Sequence, residues 1–241
     1  MKVALIAQRY GSDILGGAEY HCRLMAEHLA RHHDVEVLTT CALDDVSWKN
    51  EYAEGPDRVR GVVVRRFANA QTRDIDAFNR YSDWIFHHAH SRSDELEWLR
   101  QQGPWCPALV DHLRRHHRTF DALIFFGCLH APTVLGLQVA PSRSILVPAA
   151  RDEAALRLGI YREVFGSPAG IAYNTDVERR FLASHFSIRA KAEETVGCGV
   201  ELPPPAHGPR RQAEVSAADG DDAPPEFESA LLAREAHAQF D

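Results

Sequence analysis

The chain has 241 residues, 45% of them hydrophobic and 25% charged, an ordinary globular composition with enough length for one large domain or two small ones. Its net charge of −7 argues against nucleic-acid binding, which needs a basic face toward phosphate. From His207 onward three Arg stand against eight Asp and Glu, so −5 of that −7 lies there and the main body is close to neutral.

In chain order, residues 3–7 (VALIA) form a continuous apolar run of the kind a buried strand needs. It is too short for a signal peptide and lacks a small-residue cleavage site. No run approaches the roughly 20 apolar residues that cross a bilayer. From Ala18 the period changes: Ala18, Cys22, Met25 and Leu29 share one helix face. A second strand is predicted within 32–40 (HHDVEVLTT) and a third at 61–67 (GVVVRRF). Helices are predicted over 74–90, 94–101 and 107–118. The charged stretch 68–102 breaks the alternation and reads as a helical insertion near the carboxyl edge of the sheet. Strands follow at 121–126 (DALIFF), 144–149 (SILVPA) and 171–174 (IAYN), with a seventh at 195–200 (TVGCGV). The segment 175–185 opens with a capping box, Thr175 answered by Glu178.

Apolar strands without polar alternation need cover on both faces, and strands separated by helices pair in parallel. The prediction is a doubly wound, mostly parallel α/β sheet of Rossmann-like type over residues 1–202. Residues 203–241 read as a proline-rich linker (PPPAHGPRRQ) and an acidic, partly disordered tail ending in a helix-prone stretch. The five cysteines include no C-x-x-C pair, and a reducing cytosol is the expected compartment.

In such sheets ligands bind beyond the carboxyl ends of the strands. The loop QRYGSDILGG (8–17) follows the first strand, and Gly16 and Gly17 stand where a helix begins. Free amides and the positive dipole end suit a phosphate there. A plain tight turn is the alternative. The spacing is neither G-x-G-x-x-G nor a G-K-[ST] loop. Fourteen histidines invite a metal reading, but His112 and His116 flank Arg114 and Arg115, so a solvated helix face is expected and no metal site is assigned. The stretch HLRRHHR (112–118) can also touch anionic lipid or phosphate. Trp48 stands in a polar loop, open to sugar stacking or to packing on the body. No G-x-S-x-G elbow supports serine catalysis.

Together, R-Y-x5-G-G-A-E, H-x-V-E-V-L-T-T, G-V-x-V-R-R-F, V-P-A-A-R-D-E, N-T-x-x-E and V-G-x-G-V-E-L-P resemble the N-terminal half of family 4 glycosyltransferases over about residues 1–203. The resemblance implies a GT-B fold and retaining transfer from a nucleotide-sugar donor, with no metal and no further cofactor. It places Gly16 and Gly17 on the donor's diphosphate side. Arg9, Tyr10, Glu19 and Trp48 fall on the acceptor side. The family often has His-Asp-Glu where this chain has Arg151, Asp152 and Glu153. Arg151 stays protonated and cannot serve as a base. His130, after the fourth helix-flanked strand, is a substitute for the missing His or a structural helix-start residue. The family's C-terminal donor domain, with its E-x7-E pattern, does not follow. The expectation is therefore an acceptor-binding half that is inactive alone. The alternative is a non-catalytic subunit or remnant binding a nucleotide, a sugar or a partner chain. Expected partners are a nucleotide-sugar, a glycan, lipid-linked or small-molecule acceptor, and a separate donor-binding chain, with no nucleic acid. The expected location is the cytoplasm, with peripheral contact at the inner membrane face.

Overall fold

The computed structural model describes residues 1–200. Eight strands form one sheet: β1 (Lys2–Ile6), β2 (Asp34–Thr40), β3 (Gly55–Val59), β4 (Val62–Phe67), β5 (Ala122–Phe126), β6 (Ser144–Val147), β7 (Gly170–Tyr173) and β8 (Ala192–Thr195). Their spatial order is β3-β4-β2-β1-β5-β6-β7-β8. Every pairing is parallel except β3 with β4. The continuous apolar runs make β1 and β5 the central strands: Ala4, Leu5, Ile6, Leu123 and Phe125 are fully buried, as cover on both faces requires.

Seven α-helices connect them: α1 (Gly17–Leu29), α2 (Ile75–His87), α3 (Arg92–Gln102), α4 (Pro107–His116), α5 (Ala131–Gly136), α6 (Ile160–Gly166) and α7 (Asp176–His185). On one face the core takes Ile85 of α2, Trp98 and Leu99 of α3, Leu109 and Leu113 of α4, Val134 of α5, Phe165 of α6 and Leu182 of α7. On the other face the helical contribution is Cys22 and Ala26 of α1, packed on Val3, Leu5, Val37, Val64, Ile124 and Phe126. Among the described residues no helix is long and apolar enough to cross a membrane.

Three expectations need correction. The predicted strand at 195–200 lies earlier, at β8 (Ala192–Thr195), where it pairs with β7. Only Thr195 is shared, because the parallel ladder to Gly170–Tyr173 decides the register and the apolar composition of 195–200 does not. The capping box at α7 is half formed. Thr175 Oγ1 accepts the amide of Glu178 at 3.1 Å, but the Glu178 carboxylate accepts the amides of Asn174, at 2.7 Å, and Ala150. It thereby joins the loop after β6 to the start of α7. Third, β3 was not expected. It forms a hairpin with β4 in which Val59 faces Val62 across Arg60 and Gly61, both at positive φ (47° and 85°), the geometry of a two-residue hairpin turn. The full reciprocal box belongs instead to α3, between Ser91 and Asp94. The 74–90 helix stops at His87, and the 107–118 helix passes at His116 into a short 3-10 turn. The tail, 203–241, lies outside the described residues.

Candidate functional site

The order around β1 is a switch point: β2 lies on one side and β5 on the other, and their connections leave in opposite directions. A crevice at such a point, beyond the ends of β1 and β5, is where doubly wound sheets bind ligands. Four segments meet there: residues 8–17 after β1, 41–50 after β2, 68–73 after β4 and 127–130 after β5.

Arg9 is the hub. It is 8% exposed. Its Nε donates to Glu19 Oε1 at 3.0 Å, and Nη2 lies 2.8 Å from the same oxygen. Nη1 donates to the Leu43 carbonyl at 3.0 Å, and Nη2 reaches Asp45 at 3.4 Å. Glu19, in the first turn of α1, also accepts from Gln8 Nε2 at 3.1 Å. A carboxylate at this place complements both the guanidinium and the positive end of the helix. It also accounts for Gly16. A Cβ there would fall 2.3 Å from Glu19 Oε2, so the buried carboxylate needs a residue without a side chain. A Cβ on Gly17 would meet nothing within 4 Å, and Gly17 is exposed. Gly17 is thus the open part of the turn, at the first helical position, where backbone amides have no partner within the helix.

Trp48 is 1% exposed, with φ of 58°. Its Nε1 donates to the Gln102 carbonyl at 2.7 Å, and Asn69 Nδ2 donates to the Trp48 carbonyl at 2.9 Å. The ring packs the loop after β2 onto the end of α3 and offers no free face for stacking on a sugar. Arg73 closes this corner, donating to the carbonyls of Val46, at 2.7 Å, Asp45, and Gln102, at 3.2 Å.

His130, the residue before α5, meets the Trp48 ring edge-on at 5.3 Å between centroids. Burial lowers its pKa to about 4, and the cations of Arg73 and Arg9 push the same way. It is therefore a neutral imidazole at physiological pH, half-buried at the crevice wall. A neutral ring nitrogen can accept a hydrogen bond or a proton.

Tyr10 points elsewhere. Its ring is fully buried in the α1-side core, which drives its phenol pKa upward, while its carbonyl accepts from Arg66 Nη1 at 2.8 Å. The loop after β6 carries Arg151, Asp152 and Glu153 on the same rim as Gly16 and Gly17. Arg151 is 84% exposed at the side chain and its Nε donates to Glu153 at 2.7 Å. Thus Arg9, Glu19, Trp48 and His130 come together, and Arg151 to Glu153 form a separate, solvent-facing group two strands away. Sequence reasoning missed Gln8, Asp45 and Arg73, which complete the crevice. Gln8 bonds to Glu19 and Asp45 pairs with Arg9 through their side chains, and Arg73 donates to backbone carbonyls distant in sequence, contacts that leave no motif. Among the described residues no group of three His, Cys, Asp or Glu side chains is placed to hold a metal ion. His112 and His116 stack at 4.2 Å on α4, with the His112 pKa lowered to about 4 by burial and by His116.

No family model and no curated protein sequence matches this chain. Solved structures do match. Sucrose-phosphate synthase from Thermosynechococcus elongatus is 14% identical, with a TM-score of 0.51 over 83% of this chain and 48% of that one. A second structure of sucrose-phosphate synthase from that organism gives 13% identity and a TM-score of 0.50 over 83% of this chain and 90% of that one. Alpha,alpha-trehalose 6-phosphate synthase from Burkholderia multivorans is 15% identical, with a TM-score of 0.45 over 76% of this chain and 42% of that one. The chain spans about half the length of the first of these. At such identities the likeness shows the fold alone: a mostly parallel, helix-flanked sheet matching the GT-B Rossmann-like fold of glycosyltransferases.

Proposed function

We propose that this chain is the acceptor-binding half of a retaining glycosyltransferase of family 4 type, moving a sugar from a nucleotide-sugar donor to an acceptor hydroxyl. The observation that carries the reading is His130, held neutral at the switch-point crevice beside a pre-ordered Arg9–Glu19 pair. A neutral imidazole here accepts the hydrogen bond of an incoming hydroxyl and orients it. Arg9 and Arg73, immobilised by carbonyls and carboxylates, place positive charge near the reacting centre without needing to reorganise. The exposed amide end of α1 at Gly17 faces the donor's diphosphate and steadies it as it leaves. Arg151 cannot take the part of a base, so the loop from Arg151 to Glu153 contributes charge and acceptor contact. The nucleotide-sugar is a substrate in this scheme, with no separate cofactor.

A second Rossmann-like domain, on this or on a partner polypeptide, supplies most donor contacts. The isolated chain then binds nucleoside diphosphate but transfers little or no sugar. Calorimetry with nucleoside diphosphates and nucleotide-sugars tests the binding. Gly17→Asp, which sets a carboxylate against the helix end, is expected to weaken that binding about tenfold. Undiminished binding by this variant, or robust turnover by the purified chain alone, contradicts the proposal. A second reading, a non-catalytic subunit that binds a nucleotide or sugar, draws on the solvent-facing Arg151–Glu153 pair. It predicts the same binding but no transfer when the partner is added.

A further inference from the structure

On the rim of the sheet opposite the crevice, the connections that lead into β6, β7 and β8 border a hollow of about 510 Å³. Gln138 stands on the first connection, Ser167 on the second, and Ser187 and Arg189 on the third, while α6 adds Arg162. A volume of this order takes a small organic ligand. None of these residues belongs to the crevice.

The charge of the hollow is unspent. Arg162 and Arg189 are exposed, and among the described residues neither side chain has a carboxylate or carbonyl partner. Elsewhere in the fold the guanidiniums of Arg9, Arg66, Arg73 and Arg143 are all committed to backbone carbonyls. The carboxylate in the lining, Glu163, is taken by Arg92 at 2.8 Å. Neither arginine is placed as a helix-end cation. Arg162 lies in the first turn of α6, and Arg189 lies four residues beyond α7, whose last turn already carries His185. Two unpaired like charges on one concavity repel each other, and a bound anion relieves that repulsion.

The uncharged lining narrows the ligand. Gln138 Nε2 donates to Ser167 Oγ at 3.3 Å, and the Ser187 hydroxyl has no partner among the described residues. Phe186, half-buried against Phe165 at 4.4 Å between centroids, is the single apolar side chain. An aromatic base would need apolar walls on both of its faces. Amide and hydroxyl groups suit a body rich in hydroxyls.

We propose that this hollow binds a small sugar phosphate. Arg162 and Arg189 hold the phosphate, for which a guanidinium fork is well matched, and Gln138, Ser167 and Ser187 meet the sugar hydroxyls. The site is separate from the crevice and does not rest on the function proposed for it.

Ribose 5-phosphate titrated into the full chain by calorimetry tests this, with ribose and inorganic phosphate as comparisons. Ribose 5-phosphate is expected to bind, inorganic phosphate to bind at least about tenfold more weakly, and ribose to give no signal. Arg162→Ala and Arg189→Ala are each expected to weaken ribose 5-phosphate about tenfold, and Arg162→Lys, which keeps the charge but not the fork, by less. Circular dichroism checks that the variants fold, as substitution at exposed positions allows. Three results overturn the proposal. Absence of ribose 5-phosphate binding to the parent chain removes the site. Undiminished binding by both alanine variants puts the ligand elsewhere. Equal affinity for inorganic phosphate leaves a plain anion site with no sugar contact. Nucleoside-diphosphate binding and sugar transfer enter none of these readouts, so the two proposals fail separately.

Discussion

The loops after β1 and β6 reach the same rim of the sheet but are built in opposite ways. After β1, Arg9 and Glu19 are 8% and 6% exposed and bonded to each other, to Gln8 and to the loop after β2. After β6, Arg151 is 84% exposed at the side chain and bonded to Glu153. Charges taken out of water must be matched, so the first loop is fixed before any ligand arrives. The second keeps the Arg151 side chain in water, while Glu178 fixes its backbone at Ala150. Pre-ordered electrostatics therefore lie around Arg9 and His130, and adaptable contact around Arg151.

That contrast can be broken by mutation. Glu19→Ala leaves the Arg9 guanidinium buried with only the more distant Asp45 as counter-charge. It is expected to cost the most, about 4 kcal/mol in urea denaturation. A loss below about 1 kcal/mol would mean that the pair is not a fixed element of the fold. Trp48→Ala removes a filled corner and the bond to Gln102, for an expected loss of about 3 kcal/mol. Thr175→Ala removes the amide acceptor at the start of α7, for about 1 kcal/mol in the same assay. Arg151→Ala is expected to stay within about 0.5 kcal/mol of the parent, since an exposed pair contributes little. Under the proposed function, its effect should fall on acceptor affinity.

The pH dependence sharpens the same comparison. His130 and His112 both stay neutral in the folded chain down to about pH 4, whereas an unfolded histidine takes up its proton near 6.5. Their contribution to stability is complete above pH 6.5 and is lost as pH falls toward 4. His130→Gln should flatten that loss in denaturation curves taken across this window. An unchanged slope would remove His130 from the buried crevice.

Much of this frame was legible beforehand, for reasons particular residues make plain. VALI and ALIFF have no polar alternation, so two covered faces and parallel pairing followed from them. The 3.6-residue period beginning at Ala18 located α1, and the change of period located the loop. The strand β3 was hidden because Gly-Pro-Asp-Arg-Val is an edge strand, short and polar with an internal proline. In the crevice, His130 was found through its place after a strand, and Arg9 and Glu19 through the family resemblance. Trp48 was recognisable as a residue of interest, but its burial depends on carbonyl and amide partners 54 and 21 residues away. Arg73 sits in a charged stretch like any solvated arginine, and only the fold turns it onto the carbonyls of the loop after β2. Glu178 matched a local capping pattern, yet its carboxylate went to Ala150 across the loop after β6. Local patterns reveal elements; tertiary hydrogen bonds to backbone leave no such trace.

The most direct test of the central claim is the titration of the His130 imidazole followed by NMR in the intact chain, assigned by His130→Gln. The account predicts a midpoint near pH 4, with the ring neutral throughout the physiological range. A midpoint at or above 6.5 would show a solvated, chargeable histidine and contradict the crevice as described.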